Sequence, residues 1–293
     1  MSLRLGVDVG GTKCAFAWYH EGTRNLSSYE ALPTKDLFPG DLNFAKCLIT
    51  EIVKRTSREV SHVGIALKGI VHQGTVTYSS LMGGMVQYPL HTELKRVLPS
   101  GIQSVEVEND RYPLLVAERL LGYGKEVDHF AVVNLGTGLS VAFFDRTTVR
   151  GESSLAGEMG LATRYIPGLR RECSIESVVS GAGIAALFQS EFGEARSAAE
   201  IFSLTDSDER AAKLSETFVS TLANLLVDIS YFANPAVIVL HGSLTLSAPR
   251  FLSSLQELYA RRVDSLSKAR IEISRVQHAN CFGAAFLCDA PSL

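Results

Sequence analysis

The chain has 293 residues, 46% of them apolar, and a formal net charge of −3 with no basic run. That length supplies one large or two medium domains with a sizeable core, and the charge balance gives nucleic-acid binding no electrostatic support. No uncharged apolar stretch reaches the roughly 18 residues that a membrane span requires.

In chain order, residues 3–19 read as a hairpin. Leu42, Phe44, Ala45, Leu48, Ile49, Ile52 and Val53 have helical spacing within 41–57. Val63 to Leu67 is a buried strand ending at Lys68-Gly69, and Val71 to Tyr78 forms a shorter strand pair around Gln73-Gly74. A helix from Leu90 to Leu98 stops at Pro99-Ser100-Gly101. Val105-Glu106-Val107 is a strand that delivers Glu108-Asn109-Asp110, and a helix from Tyr112 to Leu121 ends at Gly122 and Gly124. The pattern then restarts: His129 to Asn134 enters Leu135-Gly136-Thr137-Gly138, and Leu139 to Phe144 follows. This echo of the opening hairpin predicts two similar halves with a cleft between them. Helices are expected at Ile184–Phe192 and Glu209–Phe232, a strand at Ala236–Leu240, and a last helix at Phe282–Cys288. Strands alternating with helices indicate an α/β architecture. The echo places the domain boundary near residue 110, giving 1–110 plus the C-terminal 279–293 and a second domain of 111–278.

Chemistry gathers at strand ends. Asp8-Val9-Gly10-Gly11-Thr12-Lys13 carries a carboxylate into a glycine turn. Such a turn lets backbone N–H groups and the Thr12 hydroxyl line up on a phosphate, and Asp8 can face that phosphate through a hydrated Mg²⁺. The same residues also read as an ordinary β-hairpin turn, and the two readings are compatible. Gly136-Thr137-Gly138 and His241-Gly242-Ser243 are further turns of this kind. In an open α/β fold ligands bind at the carboxyl ends of strands, so three such turns can surround a triphosphate. GxxxxGK[ST] and GxGxxG are both absent, which supports neither a P-loop NTPase nor a Rossmann reader. Asp110 follows a strand and precedes a helix. It reads either as a helix N-cap or as the general base that takes a proton from an alcohol during phosphoryl transfer. Glu158, in Gly157-Glu158-Met159-Gly160, and Glu176 suit sugar hydroxyls, although glutamate is equally at home on a solvated surface. Five cysteines, Cys14, Cys47, Cys173, Cys281 and Cys288, are scattered with no CxxC pair. That suits reduced thiols in a cytosolic enzyme. The first 20 residues carry Arg4, Asp8 and Lys13 and lack a signal-peptide pattern, so a cytoplasmic location is expected.

Together these segments resemble the ROK (repressor, open reading frame, kinase) family of sugar kinases, over nearly the whole chain. Asp8 to Lys13 resembles the first phosphate motif, Val107-Glu108-Asn109-Asp110 the "VEND" segment, and Leu135 to Gly138 the second phosphate motif. Ala156 to Gly160 resembles "AGExGH". Cys173 to Ser177 with Ser180-Gly181 resembles "GCLETYASG", and Leu240 to Ser243 the adenosine-side "LGGS". The resemblance implies two actin-like (ribonuclease H-like) α/β domains of the ASKHA superfamily flanking a cleft. It implies a hexokinase-type enzyme that uses ATP and Mg²⁺ on a small sugar and assembles as a homodimer or higher homo-oligomer. Asp110 would be the catalytic base. Asn109, Glu158 and Glu176, with Gly69 and Ser80, would form the sugar side. Asp8, Gly10, Gly11, Thr12, Lys13, Gly136, Thr137, Gly138, Gly242 and Ser243 would hold the nucleotide and its Mg²⁺ near Asp8.

The departures from the family pattern are informative. The family's motif histidine is Leu161 here, its "PG" is Lys68-Gly69, and the Asn of "NLxGW" is Ser80. Aligned on Glu176, three cysteine positions of the family's zinc cluster hold Pro167, Leu169 and Ser174. A structural zinc needs about four N or S ligands, so no structural zinc is expected. Packing by Leu161, Ile166 and Leu169 is expected to hold that loop instead. The changes at Lys68, Ser80 and Leu161 are expected to alter hydroxyl recognition, which favours an amino sugar or a cyclitol over plain glucose. Two rival readings are a non-catalytic sugar sensor and an actin-like ATPase acting on a protein partner. Asp110 and the first strand's start at residue 3 argue against the sensor. Glu158 and Glu176 argue against the ATPase.

Overall fold

The structure, a computed structural model, describes residues 2–37 and 43–292. Its contacts gather the chain into two compact units. One comprises 1–125, 150–155 and 275–293, and the other 126–149 and 156–274.

The first unit is built on a five-stranded sheet of order β3-β2-β1-β4-β8. Its strands are β1 (Leu3–Val9), β2 (Lys13–His20), β3 (Leu26–Pro33), β4 (Val60–Leu67) and β8 (Ser104–Asn109). β1 pairs antiparallel with β2, and β2 with β3, while β1, β4 and β8 run parallel. A smaller sheet holds β5 (Ile70–His72), β6 (Thr75–Ser79) and β7 (Gly84–Tyr88). Helices α1 (Thr34–Leu37), α2 (Phe44–Arg55), α3 (Leu90–Val97) and α4 (Arg111–Leu121) complete the unit, with the C-terminal helix Ala279–Ala285. The helical spacing expected over 41–57 appears as α2; its first two positions lie outside the described residues. Phe44, Leu48 and Ile52 of α2 and Leu90 and Leu94 of α3 bury against Leu5, Val7, Ile65 and Val107 of the sheet. The other face of the sheet receives the C-terminal helix. A Cβ at Gly6 would collide with the Cys281 carbonyl, and one at Gly64 with the Ala284 carbonyl, so this helix lies directly on the backbone of β1 and β4. A Cβ at Gly283 would likewise strike the Pro113 carbonyl. That close seat draws α4 into the first unit, whereas the sequence reading began the second domain at residue 111.

The second unit repeats the plan. Its sheet has the order β11-β10-β9-β14-β15, from β9 (His129–Leu135), β10 (Leu139–Asp145), β11 (Thr148–Val149), β14 (Val237–His241) and β15 (Arg270–Ile273). The pairings again run antiparallel, antiparallel, parallel, parallel. The two sheets thus share strand order and direction, as the repeated glycine turn implied. A hairpin, β12 (Thr163–Ile166) with β13 (Arg171–Ser174), stands apart from the sheet. Helices α5 (Gly181–Phe192), α6 (Ala198–Ser203), α7 (Glu209–Ala233) and α8 (Leu252–Arg262) supply the remaining core. Phe188, Phe202, Phe218, Leu222 and Phe251 bury together against Val133, Val141 and Leu240. Asp208 caps the start of α7, and Asn234, at φ 42°, ends it ahead of Pro235. Among the described residues no helix is long and apolar enough to cross a membrane.

Candidate active site

Strand register assembles a cluster in the first unit. Val9 of β1 pairs with Leu67 of β4, which pairs with Asn109 of β8. The Gly10 turn, Lys68-Gly69 and Asp110 therefore emerge side by side from the carboxyl ends of three parallel strands, where α/β sheets bind ligands. Two backbone bonds fix the row: the Lys68 N–H donates to the Val9 carbonyl at 3.0 Å, and the Asp110 N–H to the Leu67 carbonyl at 3.1 Å. The turn is closed by the Gly10 N–H donating to the Lys13 carbonyl at 3.0 Å. The Thr34 hydroxyl donates to the Gly10 carbonyl at 2.8 Å. Gly11, Thr12 and Lys13 are left exposed at the tip.

Asp8 lies behind this turn. Burial pushes its carboxyl up to about 6, partly offset by the charge of Lys13 and by the Asn280 amide, whose Nδ2 donates to the carboxylate at 3.3 Å. The Asn280 Oδ1 is buried and has no hydrogen-bond partner among the described residues. A carboxylate beside an unsatisfied amide oxygen is a hard-oxygen set that fits a hydrated Mg²⁺. Asn280 was not legible as a site residue, because 272 positions separate it from Asp8.

Asp110 opens α4, yet its side chain makes no capping hydrogen bond. Asn109 caps the helix instead. Its Oδ1 accepts the Arg111 N–H at 3.1 Å, and its Nδ2 donates to the Gly69 carbonyl. Asn109 is 4% exposed. The helix-cap reading of Asp110 thus falls to its neighbour. Ser80 is exposed. The adjacent Ser79 is buried, and its hydroxyl donates to the Lys68 carbonyl at 2.8 Å. Two arginines missed from the sequence frame this region. Buried Arg111 donates to the Ser154 carbonyl at 2.6 Å, and Arg150 pairs with Glu108 at 2.7 Å. Burial pushes the Glu108 carboxyl up, and Arg150 opposes that shift.

The second unit assembles its own cluster. Asn134 of β9 pairs with His241 of β14, so the Gly136 turn and Gly242-Ser243 leave adjacent strands. Gly242 has φ 92°, and a Cβ there would collide with the Leu135 carbonyl. The start of α5 is stitched to the turn: the Gly181 N–H donates to the Gly136 carbonyl at 2.8 Å, and the Ala182 N–H to the Thr137 carbonyl at 3.1 Å. Glu176 packs on the same turn. Its Oε2 accepts the Leu139 N–H at 2.7 Å and would stand 2.8 Å from a Cβ at Gly138. The carbonyls of Gly157 and Gly160 strap the Glu158 segment in place, accepting from the Val141 N–H at 3.1 Å and the Glu176 N–H at 2.9 Å.

Where the family's zinc cluster would lie, the chain forms the β12–β13 hairpin. Gly168 at its tip seats on α7, where a Cβ would come within 2.3 Å of the Thr217 hydroxyl oxygen. Arg164 pairs with Asp228 at 2.7 Å, and Arg171 with Glu191 at 3.1 Å. Ile166 is buried and Leu169 packs against the core. Leu161 does not: it is 65% exposed. The expectation that it packs this loop is corrected, because it ends a short 3-10 turn (Met159–Leu161) that points it to solvent. Among the described residues no group of three or more His, Cys, Asp or Glu side chains is placed to hold a metal.

A model of the ROK family matches residues 4–290. The chain belongs to the ROK family. The N-acetyl-D-glucosamine kinase of Escherichia coli O1:K1 / APEC is 29% identical over 96% of this ROK chain and 98% of its own length. The N-acetylmannosamine kinase of Escherichia coli O9:H4 (strain HS) is 28% identical over 99% of each. A ROK family glucokinase from Streptomyces griseus, solved with glucose and AMPPNP, superimposes with a TM-score of 0.77 at 20% identity over 100% of both chains. The fold is therefore that of this ROK family glucokinase.

Proposed function

We propose that this ROK-family chain is an ATP-dependent carbohydrate kinase that transfers the γ-phosphate of ATP to a hydroxyl, that at C6, of a hexose or hexose-like sugar, with Asp110 as general base. The observation that carries this reading is the row of strand ends in the first unit. Register sets Asp110 in one row with the Gly10-Gly11-Thr12 turn, with the end of β4 between them, and Asn109 takes over the helix cap, so the Asp110 carboxylate is not engaged in capping α4.

An alcohol is a weak nucleophile at neutral pH. A carboxylate within hydrogen-bond reach removes its proton as the O–P bond forms, a contribution typically of about 10²–10⁴-fold. Asn109, Glu158 and Glu176, with Gly69 and Ser80, are assigned to orienting the sugar. Gly10, Gly11, Thr12, Lys13, Gly136, Thr137 and Gly138 are assigned to the phosphates, and Gly242 and Ser243 to the adenosine side. Asp8 and Asn280 would hold Mg²⁺, which when bound neutralises charge on the phosphate oxygens. The hairpin that replaces the zinc loop is read as a zinc-free substitute. A homodimer or higher homo-oligomer is the expected assembly, and light scattering decides it.

The two Escherichia coli relatives are named for N-acetylated amino sugars, which supports testing that class as acceptor ahead of glucose and the cyclitols. The test is a coupled ADP-release assay with MgATP and N-acetylglucosamine, N-acetylmannosamine, glucosamine, glucose, mannose, kanosamine and a C7-cyclitol. Saturable turnover on a panel member supports the kinase. ATP turnover that needs no small-molecule acceptor, or binding of sugar with no turnover at all, rejects it. Glucose as the best substrate by about tenfold in kcat/KM would reject the amino-sugar preference alone.

A further inference from the structure

Lys68 stands where the family pattern has proline, and its surroundings give it work. Its backbone is held from both sides, the N–H by the Val9 carbonyl at 3.0 Å and the carbonyl by the Ser79 hydroxyl at 2.8 Å. The root of the side chain is therefore fixed at the ends of β1 and β4. From there it runs over the first glycine turn: Nζ lies 3.4 Å, and Cδ 3.8 Å, from the place a Cβ would occupy on Gly11. The other lysine of the turn, Lys13, donates to the Tyr29 hydroxyl at 3.3 Å. Lys68 has no ion-pair partner among the described residues.

The neighbour on the other side is Asp110, whose N–H donates to the carbonyl of Leu67, the residue before Lys68. Lys68 thus sits between the phosphate turn and the proposed base. A half-buried lysine with no ion-pair partner among the described residues, set over a Gly-Gly-Thr turn, suits a phosphate oxygen. Placement next to the base selects the terminal phosphoryl group, where charge spreads over the equatorial oxygens during transfer.

We propose that the Lys68 ammonium contacts the terminal phosphoryl group of the bound nucleoside triphosphate and stabilises it during transfer, in place of the hydroxyl selection expected from sequence. The inference rests on the kinase reading above. In the step, the acceptor oxygen forms a bond to the γ-phosphorus and its proton passes to Asp110. The bond from that phosphorus to the β,γ-bridging oxygen breaks, and ADP leaves with the bond's electron pair. Lys68 keeps its proton throughout and acts as a fixed charge.

The test is calorimetric binding of MgADP and of Mg with a non-hydrolysable β,γ-imido triphosphate, for the wild type, Lys68→Met and Lys68→Arg. Methionine keeps the aliphatic stem over Gly11 without the charge. Loss of one charge-assisted bond to the terminal phosphate should weaken triphosphate binding to Lys68→Met by about tenfold or more and leave ADP within about twofold. Lys68→Arg should recover most of the difference. On any sugar that turns over, kcat should fall with the sugar KM held within about twofold. Equal loss of both nucleotides, or no loss of either, overturns the assignment. Triphosphate-selective loss in a protein that phosphorylates no sugar would uphold the contact while rejecting the kinase. A wild type that binds neither nucleotide overturns both.

Discussion

Asn109 ties the end of β8 to Gly69 through a bond from its Nδ2 to the Gly69 carbonyl, while its Oδ1 caps the Arg111 N–H at 3.1 Å. One buried amide thereby sets the spacing between the β4 and β8 ends and holds the start of α4.

Asn109→Asp retains the cap acceptor and loses the donor, setting a carboxylate oxygen against the Gly69 carbonyl. At a site 4% exposed, leaving that carbonyl unpaired should cost about 1–3 kcal/mol. The expected result is a lower urea midpoint and a kcat reduced by about tenfold. Wild-type values for both would show that the amide holds nothing in place.

The fold was legible where physical constraint is local. The two hairpins, the buried runs of β4 and β9 and the long apolar stripe of α7 follow from periodicity and glycine punctuation. β3 escaped notice because Leu26–Pro33 is an edge strand with three leading exposed residues, so no burial pattern marks it. α8 has only Leu255 and Tyr259 buried, too few to write a stripe. Within the candidate site, Asp8, Asp110 and the glycine turns stand out in the sequence because each closes a strand run. Asn280, Arg111 and Arg150 do not, since each acquires its partner only through tertiary packing. Leu161 misled for the converse reason: its type suggested a core position that the 3-10 turn turns outward.

Glu176 joins the proposed sugar side to the second glycine turn. Its carboxylate accepts the Leu139 N–H at 2.7 Å, and Leu139 is 3% exposed. Glu176→Ala should leave that donor unpaired and lower unfolding free energy by about 1–3 kcal/mol, whereas Glu176→Gln keeps an acceptor and most of the stability. Denaturant melts of the two variants decide it; equal midpoints would show that the bond is not worth making.

Asp8 gives a pH signature. Its folded-state value of about 6 lies above the ordinary 3.8, so the folded state retains a proton that the unfolded chain has already lost. Stability therefore falls as pH rises through that window, and the cost is complete above it. Asp8→Asn removes the cost. Without Mg²⁺, the variant should melt above the wild type near pH ~7.5, and the difference should fade towards pH ~4. A difference independent of pH would show that burial does not govern Asp8.

The hairpin at Ile166–Arg171 is held by Gly168 on Thr217 and by the Arg164–Asp228 pair at 2.7 Å. A strong zinc chelator should leave the melting temperature within about 1 °C, against the loss expected when a structural zinc is stripped. Metal analysis should find no stoichiometric zinc. A large drop on chelation would place a zinc in this protein.

The most direct measurement pairs turnover with binding for Asp110→Asn, on the best sugar of the panel. With Asp110 as the base, kcat should fall by about 10²–10⁴-fold while calorimetric sugar affinity stays within about threefold. An Asp110→Asn variant turning over within about tenfold of the wild type would remove Asp110 from the chemistry and contradict the proposed mechanism.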